Sequence, residues 1–150
     1  MMDLFRSPNK VLAAVERLVP LAIDMGVNAA NGSGNPIALI PLHKGADGFM
    51  SNADFAKFYW PTFKATLEGL IKEGVIPFMF VEGGYNQRLD IIAESGLPAG
   101  KTMWLFDKTD IQTVTKVLMS THAYEDDTIR QRLAAKGEPI LVEPGIETVL

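Results

Sequence analysis

The stretch VIPFMFVEGG at residues 75–84 decides the fold of this chain. A mostly apolar, strand-like run stops abruptly at Glu82, and two glycines follow. The same arrangement occurs twice more, in IALIPL at residues 37–42 and in TMWLF at residues 102–106. Short apolar runs that are bounded by turn signals and alternate with helical segments are typical of βα units. The sequence therefore predicts an α/β fold built of parallel βα repeats.

Polar or charged residues follow each of the three predicted strands. His43 and Lys44 follow the first strand, Glu82 the second and Asp107 the third. Ligands of parallel sheets bind at the carboxyl ends of the strands. These four side chains are therefore predicted to share one edge of the sheet, which we call the mouth.

The composition predicts one domain, residues 1–150, with 47% hydrophobic residues to form its core. The net charge of −4, from 14 basic and 18 acidic residues, argues against a nucleic-acid binder, which would carry a basic patch. Cysteine is absent, which excludes disulfides and thiolate metal sites. Because the sequence has no signal-peptide pattern and no apolar run of membrane-spanning length, we expect no membrane association and a cytoplasmic location.

The first part of the chain predicts a long helix and a loop. Ser7 and Pro8 form a helix start, and apolar residues recur at helical spacing as far as Ile23. Pro20 lies inside this run and predicts a kink or a local break. The Asn- and Gly-rich segment 28–36 predicts a turn or loop, since it lacks the ending of a phosphate-binding P-loop and precedes a strand.

Further helices are predicted between and after the strands. Ser51 and Asp54 resemble a capping box, Pro61 predicts a bend in the helix that they open, and Gly74 fits the position after its last turn. The remaining elements are helices at about 86–94, 109–119 and 125–136, and a fourth strand at 139–142.

About four strands make half of an eight-fold βα barrel of the TIM type, which needs about 250 residues. Half a barrel leaves sheet edges unpaired and its inner face uncovered. A fragment, a half-barrel dimer and an open doubly wound sheet are three ways to resolve this problem. We therefore expect a homo-oligomer or a complementary barrel half as partner.

Residues around the first two predicted strands form a recurrent pattern of apolar, glycine and proline positions. The positions are Gly48-Phe49-Met50-Ser51, Phe55, Tyr59-Trp60-Pro61, Gly74-Val75-Ile76-Pro77 and Phe80-Val81-Glu82-Gly83. This pattern resembles one of the uroporphyrinogen decarboxylase superfamily. The resemblance covers about residues 1–119 and implies the carboxyl-terminal half of that family's eight-stranded barrel. Residues 120–150 do not match the family and are expected to form a divergent tail.

The resemblance implies one of two activities. One is a lyase reaction, the cofactor-free decarboxylation of tetrapyrrole acetate side chains, and the other is a methyltransferase reaction linked to a corrinoid such as cobalamin. The zinc-dependent methyltransferases of the family carry His-x-Cys after the strand that ends here at Val81, but this chain has Glu82-Gly83-Gly84, so we expect no metal. The resemblance implies that the decarboxylases' key aspartate and amino-terminal arginines would belong to the other half of the barrel, so we expect none of these roles in the residues here. The alternative is a non-catalytic truncated half-barrel that acts as a binding or oligomeric scaffold.

The candidate catalytic residues are Glu82, His43 and Asp107. An imidazole suits proton transfer near neutral pH, although His43 could also be a loop residue that bonds its neighbours. Glu82 could bind a cation or orient a base, or it could form a structural ion pair with Arg88 or Lys44.

Asp107 has two interpretations as well. It could be a second carboxylate at the mouth, close enough to Glu82 to raise one of the two pKa values. The preference for Asp and Thr at helix starts favours the other interpretation, in which Asp107 or Thr109 caps the helix that begins near Asp110.

The candidate substrate-binding residues follow Glu82. Gly83 and Gly84 would let a ligand approach the backbone closely, and the guanidinium of Arg88 could bind a carboxylate or phosphate bidentately. Tyr85, with Tyr59 and Trp60, could line a flat cofactor, although aromatic residues at helical spacing belong more often to the core.

Overall fold

A computed structural model describes residues 2–98, 100–110, 112–114, 141–143 and 146–148 of the chain. The helices are α1 (Met2–Arg6), α2 (Pro8–Ser33), α3 (Asn52–Asp54), α4 (Trp60–Lys72) and α5 (Leu89–Ala93). The strands are β1 (Ile37–Leu42), β2 (Ile76–Val81), β3 (Met103–Phe106), β4 (Leu141–Glu143) and β5 (Ile146–Thr148). A π-helical turn covers Phe55–Tyr59, and a 3₁₀ turn covers Asn86–Arg88.

The first three strands form one parallel sheet in the order β1-β2-β3. The carboxyl ends of the strands are level, because Leu42 pairs with Val81 and Val81 pairs with Phe106. All three strands therefore end at the same edge of the sheet. The predicted α/β fold with parallel βα units is confirmed in this three-stranded form.

One face of the sheet carries the helices. Ala38 and Ile40 of β1 pack with Ala30 of α2 and Leu70 of α4. Further along this face a second core cluster joins strand, loop and helix residues, namely Leu42, Phe55, Trp60, Leu67, Met79, Val81, Tyr85, Ile92 and Trp104. Each large apolar side chain that is fully buried there stabilises the fold by about 1.5–3 kcal/mol.

The opposite face of the sheet is also apolar, but it is open. Its residues, which we call the open face, are Ile37, Leu39, Pro41, Ile76, Phe78, Phe80, Met103 and Leu105. Leu39 is 63% exposed, and the others are exposed or half-buried. Parallel sheets usually have both faces covered, but the described residues leave this face exposed to solvent.

Helix α2 continues beyond its predicted end. It passes Pro20 without a break and includes residues 28–33, which the sequence predicted to be a loop. Asn and Gly are poor helix formers, but Ala30 is packed against Leu70 in this part of the helix. Because this tertiary contact overrides the local preference, the predicted loop is wrong for 28–33, and so is a break at Pro20.

The helical segment before β2 begins as the sequence predicted. The Oγ atom of Ser51 accepts a hydrogen bond from the Asp54 amide at 3.0 Å and donates one to the Asp54 carboxylate at 2.8 Å, which confirms the cap. Just before Pro61 the helix widens into the π turn, in which the amide of Trp60 bonds to the carbonyl of Phe55. Proline has no amide hydrogen to donate, so this local change of pattern accommodates it.

The carboxyl-terminal strands form a separate sheet. β4 pairs with β5 in antiparallel orientation. The predicted fourth strand is therefore present over residues 141–142, but it does not join the parallel sheet in the described part of the chain. The predicted helix at 125–136 lies outside the described residues. Among the helices that are described, none is long and apolar enough to cross a membrane.

Candidate functional site

The structure brings His43, Glu82 and Asp107 into one row at the mouth. Each is the residue directly after the paired positions that end β1, β2 and β3. Side chains alternate along a strand, so this row continues the alternation of the open face rather than that of the buried face. The three polar side chains therefore lie at the carboxyl end of an exposed apolar surface.

His43 and Glu82 contact each other directly. The Nδ1 atom of the imidazole bonds to the Oε2 atom of the carboxylate, and the two side chains are 54% and 48% exposed. A hydrogen bond from Nδ1 fixes the neutral imidazole as the Nδ1–H tautomer, with Nε2 as its basic nitrogen directed away from Glu82. The ion pairs that were considered for Glu82, with Arg88 or Lys44, are absent from the described residues, so those alternatives are wrong.

Asp107 holds the backbone next to Glu82. Its Oδ1 atom accepts a hydrogen bond from the Gly83 amide at 2.7 Å. Residues 112–114 are helical, and the residue that caps this segment is Asp110, whose carboxylate accepts a hydrogen bond from the Thr113 amide at 2.8 Å. Hydrogen bonds from Thr113 lower the pKa of Asp110. The prediction that Asp107 or Thr109 caps this helix is therefore wrong.

Gly83 and Gly84 form a turn that hydrogen bonds from the loops after β1 and β3 hold in place. Gly83 has a φ of 91°, a conformation that side chains rarely allow. The carbonyl of Gly84 accepts a hydrogen bond from the Asp47 amide at 2.7 Å. The amide of Tyr85 donates to the Thr109 hydroxyl at 2.9 Å. The loops after the three strands are thus tied together around residues 83–85.

Arg88 lies in the interior rather than at the exposed mouth. Its side chain is fully buried, its Nε donates to the Gly45 carbonyl at 3.1 Å, and its Nη2 donates to the Met50 carbonyl at 2.6 Å. The nearest carboxylate is that of Asp47, with 3.7 Å between Nε and Oδ1. The guanidinium also stacks over the ring of Phe55. These contacts join the loop after β1 to the loop after β2, and they leave Arg88 no direct role as an exposed anion contact.

Tyr85 is also part of the core, which supports the second of its two interpretations. It is fully buried, and its hydroxyl donates to the Leu42 carbonyl at 3.2 Å. Burial raises the pKa of Tyr85, and the neighbouring Tyr59 raises it further. Burial also raises the pKa of Tyr59, to about 12. Neither phenol lines the open face of the sheet.

Two residues that the sequence did not indicate as site residues organise the site. Asp47 and Thr109 each reach from one strand-end loop to the loop after Glu82. Their partners are backbone groups distant in sequence, so the only sequence signal was their place in a strand-end loop.

The described residues contain no group of three or more His, Asp or Glu side chains that could hold a metal ion. No protein-family model matches this chain, and neither the curated proteins nor the solved structures include a significant match to it.

Proposed function

We propose that this chain is a uroporphyrinogen decarboxylase-like protein that corresponds to about half of a βα barrel. Its mouth would act on a tetrapyrrole by decarboxylation or take part in corrinoid-linked methyl transfer. The observation that carries the proposal is the contact between His43 Nδ1 and the Glu82 carboxylate at the carboxyl edge of a parallel sheet. The one-sided packing of the helices and the sequential strand order support a partial barrel.

The chemistry of the pair suits proton transfer. A carboxylate that bonds Nδ1 orients the ring and stabilises the imidazolium that forms when Nε2 takes a proton. Loss of CO₂ from an acetate side chain leaves a carbon that must gain one proton. His43 is the group proposed to deliver that proton, with Glu82 as the residue that holds it in place.

The open face supports a flat ligand. Phe78 and Phe80 precede Glu82 along β2 and lie on the open face, as does Leu39, which precedes His43 along β1. Aromatic and aliphatic side chains of this kind are typical of ligand sites in which a few polar groups fix the orientation. A macrocycle could therefore cover the apolar residues and present a carboxylate to the pair.

The open face and the polar row at the mouth bear on the methyl-transfer version as well. An open apolar surface beside a polar row fits the flat ring of a corrinoid, which when bound would supply the metal that carries the methyl group. The thiolate zinc site of related methyltransferases does not fit this chain, because it has no cysteine. The chain's own contribution would be the His43–Glu82 pair and the apolar residues below it. We also propose a cytoplasmic location, a reducing compartment with which the absence of cysteine is compatible.

Absorbance titration of the purified chain tests this proposal. A carboxylated porphyrin and a cobalamin are titrated separately, at chain concentrations that span the range of its oligomeric states. We expect a saturable spectral shift with one of them, and weaker binding in Phe80→Ser than in the control Lys72→Ser, which changes the exposed end of α4. If the chain binds neither ligand in any oligomeric state, the proposal is wrong.

The open face favours a second candidate function, an oligomeric scaffold. All eight of its residues are apolar, and no charged side chain interrupts them. A second copy of the chain presents an equally apolar and uncharged surface, and symmetric contacts between identical patches are common in dimers. Such a copy would also cover the side of the mouth that faces away from the helices. We therefore propose a second copy as the partner.

Sedimentation velocity tests this second candidate. We expect a dimer for the wild-type chain and a monomer for Leu39→Glu. The matched control is Leu21→Glu, which places the same charge at a similarly exposed leucine of α2. A wild-type chain that stays monomeric at all concentrations contradicts the second-copy proposal and leaves a complementary chain as the partner to look for.

A further inference from the structure

We infer that Asp107 is a positioning residue that holds Glu82 against His43, rather than a second acid or base at the mouth. The inference rests on the proposed role of the His43–Glu82 pair. Its test uses the free chain without a ligand, so a failure of positioning can be distinguished from a failure of the proposed reaction.

Asp107 bonds to the backbone on both sides of Glu82. Its own amide donates to the Val81 carbonyl at 3.4 Å, and its Oδ1 accepts from the Gly83 amide at 2.7 Å. Asp107, in the loop after β3, therefore bonds to the residues immediately before and after Glu82. The Thr109 hydroxyl also bonds next to Glu82, where it donates to the Gly83 carbonyl at 3.5 Å, but among the described side chains Asp107 makes the shorter contact with Gly83.

The turn after Glu82 needs such support. Gly83 has a φ of 91°, so the chain changes direction directly after the carboxylate. The Glu82 side chain is itself 48% exposed, so about half of its surface faces solvent rather than packed neighbours. The carboxylate reaches His43 because the backbone at Gly83 is held, and Asp107 holds the amide of that residue.

The charge of the Asp107 side chain distinguishes positioning from catalysis. The contact with the Gly83 amide needs only an acceptor oxygen at the Oδ1 position, and the amide oxygen of asparagine provides one. A group that transfers a proton needs a carboxyl instead. Asp107→Asn should therefore preserve a positioning role and abolish a catalytic one, whereas Asp107→Ala should abolish both.

The test reads the tautomer of His43 from its ¹⁵N chemical shifts at a pH where the imidazole is neutral. In the wild-type chain and in Asp107→Asn we expect the Nδ1–H form to predominate. In Asp107→Ala we expect the Nε2–H form to become the main one, and amide exchange at Gly83 to become roughly tenfold faster because its acceptor is lost. The control Lys108→Ala, at the neighbouring exposed position, should behave like the wild type in both measurements.

A purely structural role would lower the melting temperature of Asp107→Ala without changing the tautomer of His43. That result overturns the inference. If Asp107→Ala does not fold, Asp107→Asn tests the inference by itself. A positioning role needs only the acceptor oxygen, so loss of the Nδ1–H form of His43 in Asp107→Asn contradicts the inference.

Discussion

The Nδ1 atom of His43 bonds to the carboxylate of Glu82 across the boundary between β1 and β2. The two residues are distant in sequence and meet because the register of the parallel strands makes their positions level. Both side chains are about half exposed. A pair with this exposure contributes little to the stability of the fold.

Glu82→Ala is therefore expected to change stability little. Exposed pairs contribute about 0–1 kcal/mol, because solvent screens the charges and ordering the side chains costs entropy. Urea unfolding should give a free energy of unfolding within about 1 kcal/mol of the wild type. A loss several times larger would make Glu82 a structural residue and would weaken the functional interpretation of the pair.

Arg88→Met is expected to have the opposite effect. The substitution removes a fully buried guanidinium and leaves the Gly45 and Met50 carbonyls and the Asp47 carboxylate without their partner. Removing one member of a buried charged pair costs about 3–5 kcal/mol. The control Arg17→Met, at an exposed position of α2, should lie within about 0.5 kcal/mol of the wild type. Equal urea midpoints for the two variants would contradict the assigned burial.

The adjacent glycines offer a matched pair of substitutions. Gly83→Ala forces a side chain onto a residue with a φ of 91°, and its Cβ would lie 3.1 Å from the Cβ of Ala46. Gly84→Ala meets only the Asp47 carboxylate, at 3.8 Å. We expect the first variant to lose about 1–3 kcal/mol in urea unfolding and the second to lose about 0.5 kcal/mol or less. If Gly84→Ala is the more destabilised of the two, the described turn is wrong.

The buried phenols predict loss of stability at alkaline pH. The folded-state pKa of Tyr59 is about 12, above the ordinary value of 10.0, and that of Tyr85 is raised too. Above pH 10 the unfolded chain releases phenol protons that the folded chain keeps, so the stability is complete below pH 10 and falls as the pH rises through the folded pKa. Each phenol contributes a slope of about 1.4 kcal/mol per pH unit in this window.

Urea unfolding between pH 8 and pH 12 measures this slope. Tyr59→Phe removes one of the two phenols, so its stability should fall less steeply above pH 10 than that of the wild type. Identical slopes for the two proteins would show that Tyr59 ionises equally in the folded and unfolded states.

The sequence was sufficient to predict the parallel strands and the residues that lie at the mouth. The bounds of β1 are the predicted ones, because the apolar run and the turn signals beside it are local features. The parallel arrangement placed His43, Glu82 and Asp107 at one edge. Their side-chain partners were not predictable, since the contact between His43 and Glu82 depends on the register and on the turn at Gly83.

The errors come from contacts between distant residues. The composition of residues 28–33 favours a loop, but packing of Ala30 against Leu70 keeps them helical. Arg88 was expected at an exposed edge, whereas the carbonyls that bind it belong to the loop after β1. Local sequence patterns do not contain either contact.

The ¹⁵N chemical shifts of His43 test the central claim most directly. The chain has two histidines, so His122→Gln assigns the signals without ambiguity. We expect neutral His43 to be mainly the Nδ1–H tautomer in the wild-type chain, with Nε2 as the basic nitrogen, and mainly the Nε2–H tautomer in Glu82→Ala. A His43 that is mainly Nε2–H in the wild type, or that does not respond to Glu82→Ala, would contradict the pair on which the proposed function depends.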